Sequence, residues 1–403
     1  MPKLLQISVG LGLSIGKISQ AIGEKAMSYG WESWMTYSAR SKASRPHLKT
    51  IKSNVIKCSS IIDSYIHYID FRLFDNEGLS SKSSTRKLIN KIKEIKPDII
   101  QLHDIHDHWM NYPMLLSYLA TLDIPIIWVQ HDCWAFTGGC MYFDMIACDK
   151  WKTGCKSCPD KRTIVLNQAE RNFNLKTKLL SEIKNLTFIS VSDWIGNMLK
   201  ESSQRNRPII TIHNGIDISR FKPCAEKKKD GKFRIIGVAA VWNARKGLDD
   251  FISLRNILPN DYEITLVGLS QNKIDKLPDG IRGIQRTNSI EELAKLYSES
   301  DVYVLPTYSD NFPTTNLEAL ACGTPVITYN TGGSPEAIDE KTGIVVEQGN
   351  VGKLAEAIIR MRKNPLSPKD CLERAERLFD KDKCFEEYME LYNKLLTEHN
   401  SIM

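Results

Sequence analysis

The longest apolar run without a charge in this 403-residue chain is about strand length, well short of a membrane span. No low-complexity tract interrupts the sequence, which argues against a disordered or linker-dominated protein. A glycine-rich turn follows Met1-Pro2-Lys3-Leu4-Leu5-Gln6-Ile7 before a signal-peptide core can form, so a cytoplasmic location is expected. The net charge of +6, from 54 basic and 48 acidic residues, is too mild for a nucleic-acid partner, and no recognition motif accompanies it. Acids are missing altogether between Glu32 and Asp63, where Arg40, Lys42, Arg45, Lys49, Lys52 and Lys57 all fall. That stretch reads as a solvated basic loop or as a contact for an anionic surface.

What is present suits a globular α/β protein: 42% hydrophobic and 25% charged residues, over a length that fits two domains of similar size. Short apolar runs alternate with longer amphipathic ones, the pattern of parallel sheets with crossover helices. Residues 4–9, 98–102, 124–129 and 187–191 read as strands of a first series. A second series comprises 233–238, 263–267, 302–305, 324–328 and 343–346. Helices are expected over 290–298 and 351–362. The segment 383–399 forms a closing amphipathic helix, with Phe385, Tyr388, Leu391, Tyr392 and Leu395 on one face. The expected division is an N-terminal domain over 1–222, a C-terminal domain over 223–382 and a final helix over 383–403, with a polar linker at Lys227-Lys228-Lys229.

The strongest chemical signal is Asp310-Asn311-Phe312-Pro313-Thr314-Thr315-Asn316-Leu317-Glu318, which follows an expected strand and runs into a helix. Open α/β sheets bind ligands at such places. Carboxylates eight positions apart suit a donor with its sugar at one end and its ribose at the other. Between them, Thr314, Thr315, Asn316 and Leu317 open a helix whose free N–H groups can hold a diphosphate. Without a ligand the same run is a capped helix with two surface acids. In the second series, the loop ending in Arg245-Lys246-Gly247 sets two cations at a strand's carboxyl end, where they can neutralise a departing diphosphate. Ser14-Ile15-Gly16-Lys17, between the first strand and helix, lets backbone approach a phosphate or an acceptor. Histidines follow strands in His103-Asp104-Ile105-His106-Asp107-His108 and in His131-Asp132-Cys133-Trp134. Such histidines are as a rule structural or merely polar, and a metal site of His103, His106 and His108 is a sharper alternative.

Ten cysteines are many for a reducing compartment. Cys140, Cys148, Cys155 and Cys158 lie inside an insertion, about 132–162, that fits neither helical nor strand period. Such a cluster favours metal over disulfide, and structural zinc, unligated thiols and a disulfide are the three readings.

Together these motifs resemble the GT-B glycosyltransferases of the retaining family 4 type. The family's paired-glutamate motif falls on Asp310 and Glu318, with Asp in place of the first Glu. Its lysine falls on Lys246, whereas Val241 stands at the usual arginine and Arg245 is the substitute. His213-Asn214-Gly215-Ile216-Asp217 matches the interdomain segment. The string from His131-Asp132-Cys133-Trp134 to Cys158-Pro159 is similar to colanic-acid-type capsular and exopolysaccharide glycosyltransferases. The resemblance implies two Rossmann-like domains facing across a cleft, with the last helix packing back toward the first. It implies transfer, with retention, of a sugar from a UDP- or GDP-sugar to a growing or lipid-linked saccharide. Glu318 would bind the ribose, Asp310 the sugar and Lys246 the diphosphate, with His131 facing the reacting sugar and Gly16 and Lys17 serving the donor. No catalytic cofactor is implied, and the chain is expected to work peripherally at the inner face of an anionic membrane. An epimerase of the same fold and a non-catalytic sugar-nucleotide binder are the rivals.

Overall fold

The computed structural model describes residues 1–39, 48, 50–160 and 162–402. Of the acid-free stretch, Arg40, Lys42, Arg45 and Lys49 lie outside the described residues. The chain divides into two compact units, Met1–Ile212 with Phe385–Met403, and His213–Cys384.

The first unit carries the strands Lys3–Ile7 (β1), Glu32–Ser38 (β2), Asn54–Ser59 (β3) and Ile99–Leu102 (β4). Ile126–Gln130 (β5), Leu186–Ser190 (β6) and Ile209–Thr211 (β7) complete its sheet. Every neighbouring pair is parallel, in the order β3-β2-β1-β4-β5-β6-β7. Its helices are Leu13–Ser28 (α1), Ile61–Phe74 (α2), Lys82–Ile95 (α3), Tyr112–Leu119 (α4), Ala169–Glu182 (α5) and Asp193–Glu201 (α6). β4, β5 and β6 are buried at every position, as strands covered by helices on both faces must be. Leu102, Trp128 and Phe188 from these strands join one core.

The second unit repeats the plan with Phe233–Val238 (β8), Tyr262–Val267 (β9), Ile281–Ile284 (β10) and Val302–Leu305 (β11). Val326–Tyr329 (β12) and Gly343–Val346 (β13) follow, and the parallel order is β10-β9-β8-β11-β12-β13. Its helices are Leu248–Ile257 (α7), Gln271–Ile274 (α8), Ile290–Glu299 (α9), Thr314–Ala321 (α10), Val351–Lys363 (α11) and Pro368–Leu378 (α12). In both sheets the order reverses beside the first strand, between β1 and β4 and between β8 and β11. That reversal opens a crevice at the strands' carboxyl ends, where α/β sheets take their ligands.

The last helix, Lys381–Ile402 (α13), runs from the second unit into the first. There Glu386 pairs with Lys25 of α1 at 2.7 Å, and the Tyr392 ring lies 5.7 Å from that of Trp31. The expected apolar face is the buried one, with Phe385, Tyr388, Leu391 and Tyr392 all inside. At the start of the second unit the Ile216 N–H donates to the Phe379 carbonyl at 2.8 Å. A Cβ on Gly215 would stand 2.5 Å from the Lys381 Cα, so only glycine fits that approach.

Two expectations need correction. Ser14, Gly16 and Lys17 do not form a loop before the first helix but lie within α1, which opens at Leu13 behind an extended Gly12. The acid-free stretch is not simply a solvated loop, since it includes β2, β3 and the first residues of α2. Its strands escape notice because they mix Ser, Thr, Asn and Lys with their apolar residues. The insertion is as irregular as expected, with only short 3-10 turns at Trp134–Phe136, Phe143–Ile146 and Lys150–Lys152.

Candidate active site

In the second unit the loops after β8 and β11 are held together across the point where the strand order reverses. The Tyr308 N–H and the Thr307 hydroxyl both donate to the Arg245 carbonyl, at 2.8 and 3.1 Å. Gly247, at φ 68°, lies so close to this strap that a Cβ would stand 2.2 Å from the Pro306 oxygen. That contact sets the 3-10 turn Ala244–Lys246 on the following loop. Lys246 Nζ there donates to Asp310 Oδ2, and Arg245 Nη1 lies 3.7 Å from Oδ1 and 2.6 Å from the Ser309 carbonyl. The structure thus joins Arg245 and Lys246 to Asp310, which lies 64 positions or more further along the sequence. Their side chains are only 15–18% exposed, so the charges act through less water than surface ions do.

Asp310 is fixed from behind by two residues the sequence did not single out. The Gly333 N–H donates to its carbonyl at 3.2 Å, and Gly332, at φ 55°, approaches so closely that a Cβ would stand 1.8 Å from that oxygen. α10 then begins behind Pro313, with no side chain capping it. The Asn316 N–H turns back to the Pro313 carbonyl at 3.1 Å, which leaves the N–H groups of Thr314 and Thr315 as the ends of the helix dipole. Thr315 accepts from the Tyr303 hydroxyl at 2.7 Å. Asn316 and Leu317 are fully buried, and the Asn316 amide donates to Ser334, which makes their side chains structural. Glu318 is half-buried and accepts from the Tyr297 hydroxyl at 3.1 Å. Burial and the Glu318 carboxylate push the Tyr297 phenol well above its usual range, so it stays a donor.

In the first unit, a Cβ on Gly16 would stand 2.4 Å from the Leu11 carbonyl carbon. That glycine lets the turn after β1 fold onto α1, and Lys17 beyond it is exposed. His131 follows β5 and meets His103, from the end of β4, with Nε2 to Nδ1 at 3.0 Å. His103 Nε2 in turn contacts Gln6 and Gln101, each at 3.1 Å, and the Tyr392 hydroxyl of α13 donates to Gln101 at 2.6 Å. Burial lowers His131 to about 4, against the pull of Asp132 and with the push of His106, so the imidazole is neutral at pH 7. His106 is the opposite case. Burial disfavours its charge, but the Asp132 and Asp107 carboxylates outweigh that and hold it protonated, with Asp132 at 2.8 Å. His108 packs among His67, Tyr68 and Phe71. The three histidines once grouped as a metal site therefore go three separate ways.

The four clustered cysteines line one cavity with Trp151 and Arg162. All ten cysteines are unlinked.

Two Rossmann-ordered sheets in one chain, with a cation–carboxylate loop pair at the second reversal, are the GT-B architecture. Sucrose-phosphate synthase from Thermosynechococcus elongatus superposes over 99% of this chain and 100% of its own, with a TM-score of 0.75 at 18% identity. HepE from Anabaena, solved with UDP-glucose, matches 98% of this chain and 100% of its own, at a TM-score of 0.68 and 14% identity. Residues 221–378 match the family model for glycosyl transferases group 1, and residues 56–220 that for glycosyltransferase family 4. The chain belongs to this family and is a glycosyltransferase. WcaC of Escherichia coli K12, named for colanic acid biosynthesis, is 24% identical over 85% of this chain and 87% of its own.

Proposed function

We propose that this glycosyltransferase moves a sugar from a UDP- or GDP-sugar to a hydroxyl of a growing or lipid-linked saccharide in cell-surface polysaccharide synthesis, with retention at the anomeric carbon. The observation that carries the reading is the joining of Lys246, Arg245 and Asp310 beside the uncapped start of α10, with Glu318 in the same helix. Cations and free N–H groups suit a diphosphate, and the two carboxylates suit the hydroxyls at its ends. Glu318, oriented by Tyr297, holds the ribose, and Asp310 holds the sugar. Lys246 and Arg245 neutralise the diphosphate as the anomeric C–O bond breaks. The acceptor oxygen forms the new bond on the same face, and its proton passes to the departing phosphate oxygen. In the first unit neutral His131 is assigned to the reacting sugar, and the turn before Gly16 and Lys17 to the donor side. No step is routed through a metal.

HepE's complex with UDP-glucose supports a nucleotide-sugar donor, and the name of WcaC, "Putative colanic acid biosynthesis glycosyl transferase", supports a polysaccharide product. Among the described residues no helix is long and apolar enough to cross a membrane. α2, however, exposes Ile62, Tyr65, Ile66 and Ile69, and the neighbouring Ile164 and Val165 are exposed as well. The Ile164 N–H donates to the Arg72 carbonyl at 2.7 Å, which sets that segment beside the end of α2. With the acid-free basic stretch just before α2, these exposed residues support peripheral docking on the cytoplasmic leaflet, where a lipid-linked acceptor would lie.

The test is a thermal-stabilisation screen of the purified chain against UDP- and GDP-sugars. A donor at a hundred times its dissociation constant should add about 2.7 kcal/mol. No stabilisation by any of them at saturating concentration contradicts the reading.

A further inference from the structure

We infer that Cys140, Cys148, Cys155 and Cys158 bind one structural zinc ion that ties the insertion of the first unit together. The four residues come from different turns of an irregular segment, yet all line a single cavity of about 20 Å³. That volume suits one ion or one water. The sulfurs do not yet converge. Among the described residues the sets whose donor atoms lie within 4.8 Å of one another combine carboxylates with histidines, and none contains a cysteine. Tetrahedral thiolate coordination brings sulfurs to about 3.8 Å apart, so side-chain rotation accompanies loading.

Three further observations point to thiolates rather than inert thiols. First, the surroundings offer N–H donors in search of acceptors. Trp151 lines the cavity, and its buried Nε1 has no hydrogen-bond partner among the described residues. The Gly138 N–H already donates to Cys155 Sγ at 3.1 Å. Buried donors without acceptors are costly, and metal-bound sulfur is an acceptor. Second, Lys150 lines the cavity, and its ammonium donates to the Ser157 carbonyl of the Cys155–Cys158 turn at 2.6 Å. It adds one positive charge against the two net negative charges of a zinc ion with four thiolates. Third, the turn Cys155-Lys156-Ser157-Cys158 holds Cys155 at φ 55° and Ser157 at φ 48°. Left-handed backbone at non-glycine residues costs on the order of 1 kcal/mol each and persists where the surroundings fix it.

The experiment measures metal by elemental analysis of untagged chain purified under reducing conditions, then reconstituted with zinc and dialysed. About one zinc per chain is expected, released as four equivalents of a mercurial bond to the four sulfurs. Cobalt reconstitution of the same chain should give the thiolate charge-transfer absorption of a tetrahedral sulfur site. Cys148→Ser and Cys158→Ser should each lose the metal, while Cys224→Ser, on the second unit, should keep it. If the first two variants fail to fold, the cobalt spectrum and thiol count of the unsubstituted chain decide. Substoichiometric zinc after reconstitution, a cobalt spectrum without thiolate character, or thiols missing from the denatured count through a disulfide would each overturn the inference.

Discussion

Replacing Lys246 by alanine removes the cation best placed to meet a donor's diphosphate. Its ammonium pairs with Asp310, where the two side chains are 15% and 17% exposed. Unit charges about 4 Å apart attract by about 4 kcal/mol at an effective dielectric constant of 20. A diphosphate offers more negative charge than one carboxylate, so a bound donor competes well for this lysine. Arg245, 3.7 Å from the same carboxylate, remains and carries part of the effect. The loss in kcat/KM should therefore be roughly 10- to 1000-fold, or about 1.4–4 kcal/mol of transition-state stabilisation. Affinity for the free nucleoside diphosphate should fall with it. Asp310→Asn acts in the other direction, since it releases the ammonium while keeping the side chain's shape. It should hold or tighten nucleoside diphosphate binding while lowering turnover, because the sugar loses its carboxylate. The assay pairs steady-state release of nucleoside diphosphate with calorimetric titration of that product, and a melting curve confirms that each variant is folded. A folded Lys246→Ala chain with near-wild-type kcat/KM and diphosphate affinity would refute the assignment.

Glu318→Ala should cost at least about tenfold in kcat/KM, and Tyr297→Phe should raise KM more than it lowers kcat, since Tyr297 only orients Glu318; unchanged kinetics in both would remove the ribose contact. Gly16→Ala drives a methyl into the Leu11 backbone, 2.4 Å away, and should destabilise the first unit by about 1–3 kcal/mol, read from denaturant melts; a neutral result would mean that the turn moves freely. His131 should titrate by NMR near 4. Because its folded value lies below the unfolded value of about 6.5, its contribution to stability is present above that pH and is lost as the pH falls toward 4. A midpoint at or above 6.5 would contradict the buried neutral ring. Ile62→Ser with Ile66→Ser should abolish co-sedimentation with anionic vesicles without altering the melting curve; equal binding by this variant and the parent would remove α2 from the docking surface.

Legibility in the sequence followed burial. Strands β8, β11 and β13 coincide with the apolar runs at 233–238, 302–305 and 343–346. β2 and β3 lie at one edge of the first sheet and carry Glu, Ser, Thr, Asn and Lys among their letters, so periodicity alone did not separate them from a basic loop. α2 was missed for the opposite reason, because Ile61, Ile62, Tyr65 and Ile66 are exposed while its buried positions are Ser64 and His67, so its apolar pattern runs against its burial. The motifs that carry Asp310, Glu318 and Lys246 stand out in the sequence because they are short and contiguous. The contacts behind them were not. Tyr297, Gly332 and the chain from Tyr392 through Gln101 and His103 to His131 come from separate elements, and only the folded sheet brings each group together.

The central claim is sugar transfer with retention from a nucleotide sugar, and the product's stereochemistry tests it most directly. The chain is incubated with saccharide acceptors and an α-linked UDP- or GDP-sugar that stabilises it, and the new linkage is followed by the coupling of its anomeric proton in NMR. The expected result is an α-linked product, with one nucleoside diphosphate released per bond formed. A β-linked product would contradict retention, and failure of the folded chain to consume any of these donors would contradict the transfer itself.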